Sequence, residues 1–498
     1  ATALIADLDR CAGGRAVEAR GKGGLYAFGK FVRRRRFAVG ASALALVGVI
    51  GALAVMSVLY ALAETERREA DMRFAQVREL ANYMLFDLYD QLEPINGTTK
   101  ALSGIADKSR EYLDALSQTA RSSPALRLET ALGYKRLGDV SGNPLGANLG
   151  RREEAGEHLA RAYEELEALH AASPGDVEIM RGLAQAAFSL AVYNFIAIDD
   201  NEMAIRYATR AEEMYADIIA SGAGDETDRM ARIHAQAQSG KPYAWMDDGE
   251  KAVPILRGAY EEAEAFLDDH PDNEAAKSLA ASTGVSLAEA MMRHFDLAGG
   301  GDYAATRAYM DRAVALYEEL DAASAPGDTA ARRNLITAWF KRSLASYTME
   351  EDAAALADLE KAERGAMALL ADDPDDAGLK RMLATVIEQK AMALVYLGRH
   401  DEAIETGEGN VETKKALLAA DPESPGRARE AASAVSLLAE IYRIAEKTER
   451  ACVLFAEARQ RYLDVDAQAP LSDYDRETGL NAVEKSLSDC ADETPAPE

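Results

Sequence analysis

Oxidation of paired thiols is the one covalent reaction that residue type and spacing single out in this sequence. Cys452 and Cys490 both fall near the C-terminus, whereas the third cysteine, Cys11, sits in a basic N-terminal stretch. A bridge between Cys452 and Cys490 would close a loop of about 39 residues and stabilise by roughly 3 to 4 kcal/mol. The competing reading is two unpaired thiols, one packed as a small apolar side chain. Little else resembles catalytic chemistry. The six histidines, His158, His170, His234, His270, His294 and His400, are scattered without ligand spacing, and the carboxylates are too numerous for any pair to stand out. The chain has no G-x-x-x-x-G-K-[ST], G-x-S-x-G, H-E-x-x-H, C-x-x-C, H-R-D or D-F-G. Its glycine-rich pieces, GKGG and AGGGD, lack the strand–turn–helix setting of a phosphate loop. The sequon NGT at Asn96 is a glycosylation site only in a eukaryotic secretory setting, which nothing else supports. The reading assigns no catalytic residue, cofactor or metal, and expects a non-enzymatic chain.

The pairing argument depends on which side of a membrane each cysteine occupies. From Phe37 to Ala63 there is no charged residue. At about 1.5 Å per residue, this run reaches roughly 40 Å, against a hydrocarbon core of about 30 Å. Ala61-Leu62-Ala63 has the small-x-small look of a cleavage site, but the run is too long for a signal peptide's apolar region and thirty-six residues precede it. It therefore reads as a spanning helix. Residues 1–36 carry nine Lys and Arg against three Asp and Glu, with Arg33, Arg34, Arg35 and Arg36 abutting the apolar run. The positive flank places the N-terminus in the cytoplasm and leaves Cys452 and Cys490 together outside. Of the chain's net charge of −28, the far side is the acidic part, which argues against nucleic acid as a partner.

Beyond the membrane run the sequence repeats. Pro374, Pro422 and Pro470 recur at a step near 48, and Pro174 and Pro271 keep that frame. A second marker has the same period: Ala155, Ala204, Ala252, Ala305, Ala355, Ala403 and Ala451. In five of these seven a proline follows 19 residues later, whereas Pro326 comes 21 after Ala305. Aromatics are only 7% and β-branched runs are nearly absent, so the elements are helices.

The stretch LVYLGRHDEAIE (394–405) resembles the turn of a tetratricopeptide repeat: Gly398 ends a first helix, Asp401 and Glu402 open a second, and Ala403 occupies the close helix crossing. The period exceeds the usual one of about 34 by two sevens. Seven residues are nearly two helical turns, so each helix can lengthen without rotating its apolar face. The resemblance implies an all-α fold: a solenoid of about seven long hairpins, with a concave groove for a protein or peptide ligand. Trp245 and Trp339 are either groove anchors or core. The chaperone-type carboxylate clamp is missing, with Glu388, Met392, Ser436 and Glu440 at the aligned places.

Between membrane and repeats, Phe74, Val77, Ala81, Leu85, Leu88 and Leu92 form an apolar stripe, and Leu102, Ile105, Tyr112, Leu113 and Leu116 mark a further helix. The stripe either packs on the first repeat or forms a homodimer seam. Ala41/Ala45 and Gly48/Ala52 are small-xxx-small pairs within the membrane run. The expected organisation is thus a cytoplasmic basic stub (1–36), a transmembrane helix (37–63), extracytoplasmic juxtamembrane helices (64–130), the repeat array (131–482) and an acidic tail (483–498).

The head LIADLDRCAGGRAVEARGKGGLYAFGKFVRRRR, followed by LANYMLFDLYDQLEPINGTT, REYLDAL and GYKRLGDVSGNPLGANLGRREEA, is similar to bacterial membrane-anchored Hanks-type serine/threonine protein kinases that carry tetratricopeptide repeats outside the cytoplasm. The resemblance implies a kinase domain upstream of Ala1, a bacterial inner-membrane location with the repeats periplasmic, and a sensor or scaffold role for the solenoid. It includes none of the kinase catalytic motifs, so no catalytic residue carries over. The other readings are an envelope scaffold without enzyme, or the periplasmic tail of a membrane-bound winged-helix transcription regulator.

Overall fold

Proline punctuation sets the architecture. A residue before proline is pushed out of the helical region into extended conformations, and Ser173 (φ −141°), His270 (φ −134°), Asp373 (φ −129°) and Ala469 (φ −147°) all stop their helices this way. The next helix is then opened by an acceptor side chain. Asp176 accepts from the backbone N–H groups of Glu178 and Ile179, Asp376 from Leu379, and Ser424 from Arg427. The computed structural model describes the chain except residues 1, 21–22, 93–94, 96–97, 120–122, 143–148, 150, 299–302, 326, 375, 421, 423, 473–474 and 494–498. The sequon at Asn96, the AGGGD glycines 299–301, the GK of GKGG and Pro326 lie outside the described residues.

The chain divides into two units, Ala1–Leu80 and Ala81–Glu498. In the first, α1 (Thr2–Ala12) and α2 (Gly24–Arg34) precede α3, which begins at Arg36 and remains helical to Asn82. Arg33 to Arg36 therefore straddle the α2–α3 junction. The apolar run from Leu44 through Leu62 has its large side chains exposed. The helix is long and apolar enough to cross a membrane.

In the second unit a π-helical turn (Tyr83–Leu88), α4 (Tyr89–Leu92) and α5 (Thr99–Thr119) lead into seven hairpins. These are α6–α7 (Pro124–Gly142, Arg152–Ala172), α8–α9 (Val177–Tyr193, Asn201–Ala220), α10–α11 (Glu226–Trp245, Gly249–Asp269) and α12–α13 (Glu274–Ala298, Tyr303–Ala323). They continue as α14–α15 (Ala330–Thr348, Asp352–Asp372), α16–α17 (Ala377–Tyr396, His400–Ala420) and α18–α19 (Pro425–Ile444, Thr448–Gln468). A π-helical turn (Arg476–Asn481) and α20 (Ala482–Glu493) close the array. One boundary differs from expectation: the first hairpin opens at Pro124, not 131. SDYDRETGLNAVEKSLSDC (472–490) reads as a capping helix folding back on the last repeat, although the bounds set residues 483–498 apart as an acidic tail; residues 482–493 are helical, with Leu480 and Val483 buried against α19.

Each second helix is 20 or 21 residues long. Its fourth residue meets the preceding first helix at the crossing. Ala155, Ala204, Ala252, Ala403 and Ala451 are wholly buried there, and Ala355 is 1% exposed. In α13 the fourth residue is Thr306, 1% exposed, while Ala305 is only half-buried. The crossing position in that hairpin belongs to Thr306, whose methyl and hydroxyl take the space an alanine fills elsewhere. In the first hairpin the small residue is matched across the contact: a Cβ on Gly142 would come 3.1 Å from the Cβ of Ala155, and one on Gly138 2.6 Å from Cγ of Leu159.

The stripe expected over 74–92 is split. Leu85 and Tyr89 are buried with Leu102, Leu113 and Tyr134, whereas Phe74 and Val77 are 41% and 55% exposed. The intervening π turn inserts extra rotation, so a single helical register does not hold through it.

Successive first helices pack on one another, α6 on α8, α8 on α10 and onward to α16 on α18. The first helices therefore line the inside of the curve. Ion pairs about one period apart tie neighbouring hairpins, among them Arg181–Asp228 (2.8 Å), Arg210–Glu167 (3.1 Å) and Lys447–Asp401 (2.9 Å), and Arg151–Asp107 (2.6 Å) ties α5 to the first.

Candidate functional site

The inward faces of the first helices bound a cavity of about 1150 Å³. One wall comes from the turn ends of the second, third and fourth hairpins, with Asn201, Trp245 and Arg293. The other comes from α16, α18 and the cap, with Arg381, Thr385, Ser433 and Ser436. Winding of the array brings these distant segments together. The volume exceeds the roughly 300–1,000 Å³ of ordinary small-molecule pockets.

Trp245 is 49% exposed. The guanidinium of Arg293 lies over its ring at 3.7 Å, and Phe195 meets it edge-on at 6.1 Å. Phe195 belongs to the π-helical turn Asn194–Ile198, which also leaves Ile196 and Ile198 exposed. Trp339, by contrast, is half-buried between two core clusters. Of the two tryptophans, the structure puts Trp245 at the cavity and Trp339 in the core.

The opposite wall is charged. Glu388, Ser436 and Glu440 line the cavity, and Met392 does not. Most of the wall's charges are paired: Lys414 Nζ lies 3.3 Å from Glu430 and 3.7 Å from Glu388, and Arg429 lies 2.9 Å from Asp475. Arg381 is different. It is half-buried on α16 and makes no ion pair or side-chain hydrogen bond among the described residues. Burial, and then the positive charge of Arg152, hold its pKa below the ordinary guanidinium value. The carboxylates around it are committed elsewhere, Asp376 to Arg333 at 2.5 Å and Glu430 to Lys414. One turn before Trp245, on the same face of α10, Lys241 has no ion pair either, and burial brings its ammonium down to about 8. Its carboxylate neighbour Glu289 is held by Lys341 at 2.6 Å. Beside it, His234 packs on Phe188 at 4.8 Å, and burial lowers its imidazole to about 4.

The remaining sequence-derived residues stand apart from the cavity. Six of the seven marker alanines are buried at helix crossings, and Ala305 lies half-buried one place before its crossing. Cys452 and Cys490 are bonded to each other, with Cα atoms 5.9 Å apart, and join α19 to α20. Cys11 is an exposed free thiol. Arg381 was not legible as a site residue, because a lone basic side chain in a helix carries no mark of whether the fold will give it a partner.

Seven stacked hairpins with an inward groove define a tetratricopeptide-like α-solenoid. No protein-family model and no curated protein matches this chain. Among solved structures it is similar to a Rap protein complexed with competence and sporulation factor, at 11% identity over 83% of this chain and 99% of that one, with a TM-score of 0.43. It is similar also to NprR in complex with its cognate peptide NprX (16% identity, 69% and 90% of the two chains, TM-score 0.37). A third is the set of TPR-like repeats of a kinesin light chain from Podosopora anserina (16%, 47% and 97%, TM-score 0.35). At these values the likeness concerns helical-repeat architecture alone.

Proposed function

We propose that this chain is the ligand-binding sensor region of a single-pass membrane protein, with its N-terminus cytoplasmic and its solenoid outside, and that the ligand is a peptide or protein segment held in the groove. The observation that carries the reading is the cavity itself: an open volume of about 1150 Å³ with an exposed tryptophan on one wall and an unpaired arginine on the other. A scaffold whose only task was to stack would have no reason to leave a half-buried charge unpaired. The positive flank at Arg33 to Arg36 and the Cys452–Cys490 bridge support the topology, since disulfides persist in oxidising compartments. The resemblance to membrane-anchored serine/threonine kinases suggests that ligand binding outside alters the activity of a kinase domain inside, through differential affinity for two states of the protein.

Two experiments test these parts separately. A reporter enzyme active only outside the cytoplasm should work when fused after residue 130 and fail when fused at residue 30; the reverse pattern overturns the topology. The coding sequence upstream of Ala1 should contain H-R-D-x-x-x-x-N and D-F-G, whereas a winged helix or an immediate start codon there removes the kinase.

A further inference from the structure

The groove's charge narrows the chemistry of its ligand, on the reading that the ligand is a peptide. The chain as a whole is strongly acidic, at −28. On such a background a basic side chain finds a carboxylate easily, and the wall of the groove shows it: Lys414 and Arg429 are each within 3.3 Å of one. Arg381 is nevertheless left alone. Two further guanidiniums, Arg152 from α7 and Arg427 from α18, are close enough to repel it, and the two nearest carboxylates, Glu430 and Asp376, already hold other cations. Arg152 belongs to the first hairpin and Arg381 to the sixth, so their approach is a product of the winding of the array. On the facing wall Arg293, whose guanidinium lies over Trp245, is a second cation without an ion pair among the described residues.

Opposing charge exists at the rim. Asp199 and Asp247 line the cavity without ion-pair partners among the described residues, but both are exposed turn residues. Exposed charges are screened within about 8–10 Å, whereas a half-buried guanidinium is screened much less. Arg381, with Arg293 across from it, therefore sets a positive recognition field in the groove. A guanidinium without a partner presents a donor fork that matches a carboxylate in bidentate fashion. We infer that the groove takes an acidic peptide, one of whose carboxylates pairs with Arg381 while an adjoining apolar or aromatic side chain packs against Trp245.

The test uses the full chain in lipid nanodiscs and fluorescein-labelled peptides of eight residues: one alternating Glu with Leu, its Gln/Leu isostere, and its Lys/Leu counterpart, each with free and with amidated C-terminus. Fluorescence anisotropy should show the Glu peptide binding at least about tenfold more tightly than the Gln peptide, and the Lys peptide not at all. Arg381→Met should abolish that preference, because removing one partner of a desolvated pair costs an order of magnitude or more, while its thermal midpoint stays at or above the parent's. Arg381→Lys should recover part of the affinity, and Arg364→Met, on the exposed face, should change nothing. Equal binding of Glu and Gln peptides, or unaltered binding by Arg381→Met, overturns the inference while leaving peptide binding standing. Failure of every peptide removes the peptide reading as well. Displacement of the Glu peptide by inorganic phosphate at equal concentration would make this a small-anion site and would likewise overturn the inference. An effect of C-terminal amidation alone, with the Gln peptide binding as well as the Glu peptide, would assign the carboxylate to the peptide terminus and refute the side-chain pairing.

Discussion

Replacing Cys490 by serine should loosen the C-terminal end of the array and leave the rest intact. The bridge spans a sequence separation of 38 and ties α20 to the start of α19. In the loop-entropy account a closed loop of about 39 residues removes about 13 cal/mol/K from the unfolded segment, which is roughly 4 kcal/mol at 25 °C, and real bridges often deliver somewhat less. The cap does not depend on the bridge alone. Leu480 and Val483 are buried, and Arg459 pairs with Glu484 at 2.9 Å. Cys490→Ser should therefore weaken α19 and α20 without detaching them. Hydrogen exchange read by mass spectrometry is the suitable assay, since a nearest-neighbour array opens from its ends. Protection across 448–493 should fall by about a hundred- to a thousandfold, each tenfold being about 1.4 kcal/mol, while α6 to α13 keep theirs. Reduction of the parent with a thiol should reproduce the effect. Unchanged protection at the C-terminal end, or a loss spread evenly over all seven hairpins, would refute both the entropy argument and the quasi-linear picture of the array.

Other perturbations test the packing and its electrostatics. Ala403→Leu, at a fully buried crossing, should cost roughly 1 to 3 kcal/mol by overpacking; Thr306→Leu should match it in urea titration and Ala305→Leu should cost well under about 1 kcal/mol, and the opposite ranking would return the crossing position to Ala305. Glu446 holds a left-handed turn at φ 58°, so Glu446→Gly should stabilise by roughly 0.5–1 kcal/mol despite the entropy of glycine, and a loss would show that its side chain does something the turn geometry does not reveal. Asp228 is held below its ordinary 3.8, chiefly by hydrogen bonds from Arg181. A depressed carboxylate adds stability above its unfolded pKa and loses it as the pH falls through the folded one. The parent should thus lose stability more steeply than Asp228→Asn below about pH 4, and parallel urea midpoints would refute the linkage.

The solenoid was legible because prolines and alanines recur at the same positions in most hairpins, and sterics leave those positions few alternatives. The fourth hairpin misled for a local reason. Its helix α12 runs 25 residues, and the longer hairpin shifts the marker alanine one place off the crossing. Turn geometry was legible only where glycine marks it. Gly398 has φ 70°, but Asp199, Asp247, Glu350 and Glu446 take the same left-handed position with carboxylate side chains, which no composition rule identifies. At the groove, Glu388, Ser436 and Glu440 could be aligned from the repeat pattern because they depend on register within a helix. Arg381 could not, since its isolation depends on Arg152 arriving from five hairpins away.

The two walls of the groove belong to hairpins that do not touch in the linear stack. In an array whose repeats contact only their neighbours, the pitch is set interface by interface. An occupant that grips Trp245 on the third hairpin and Arg381 on the sixth welds the coil across its own bore. It turns a spring into a ring, and the distance between the array's two ends then ceases to be an independent variable.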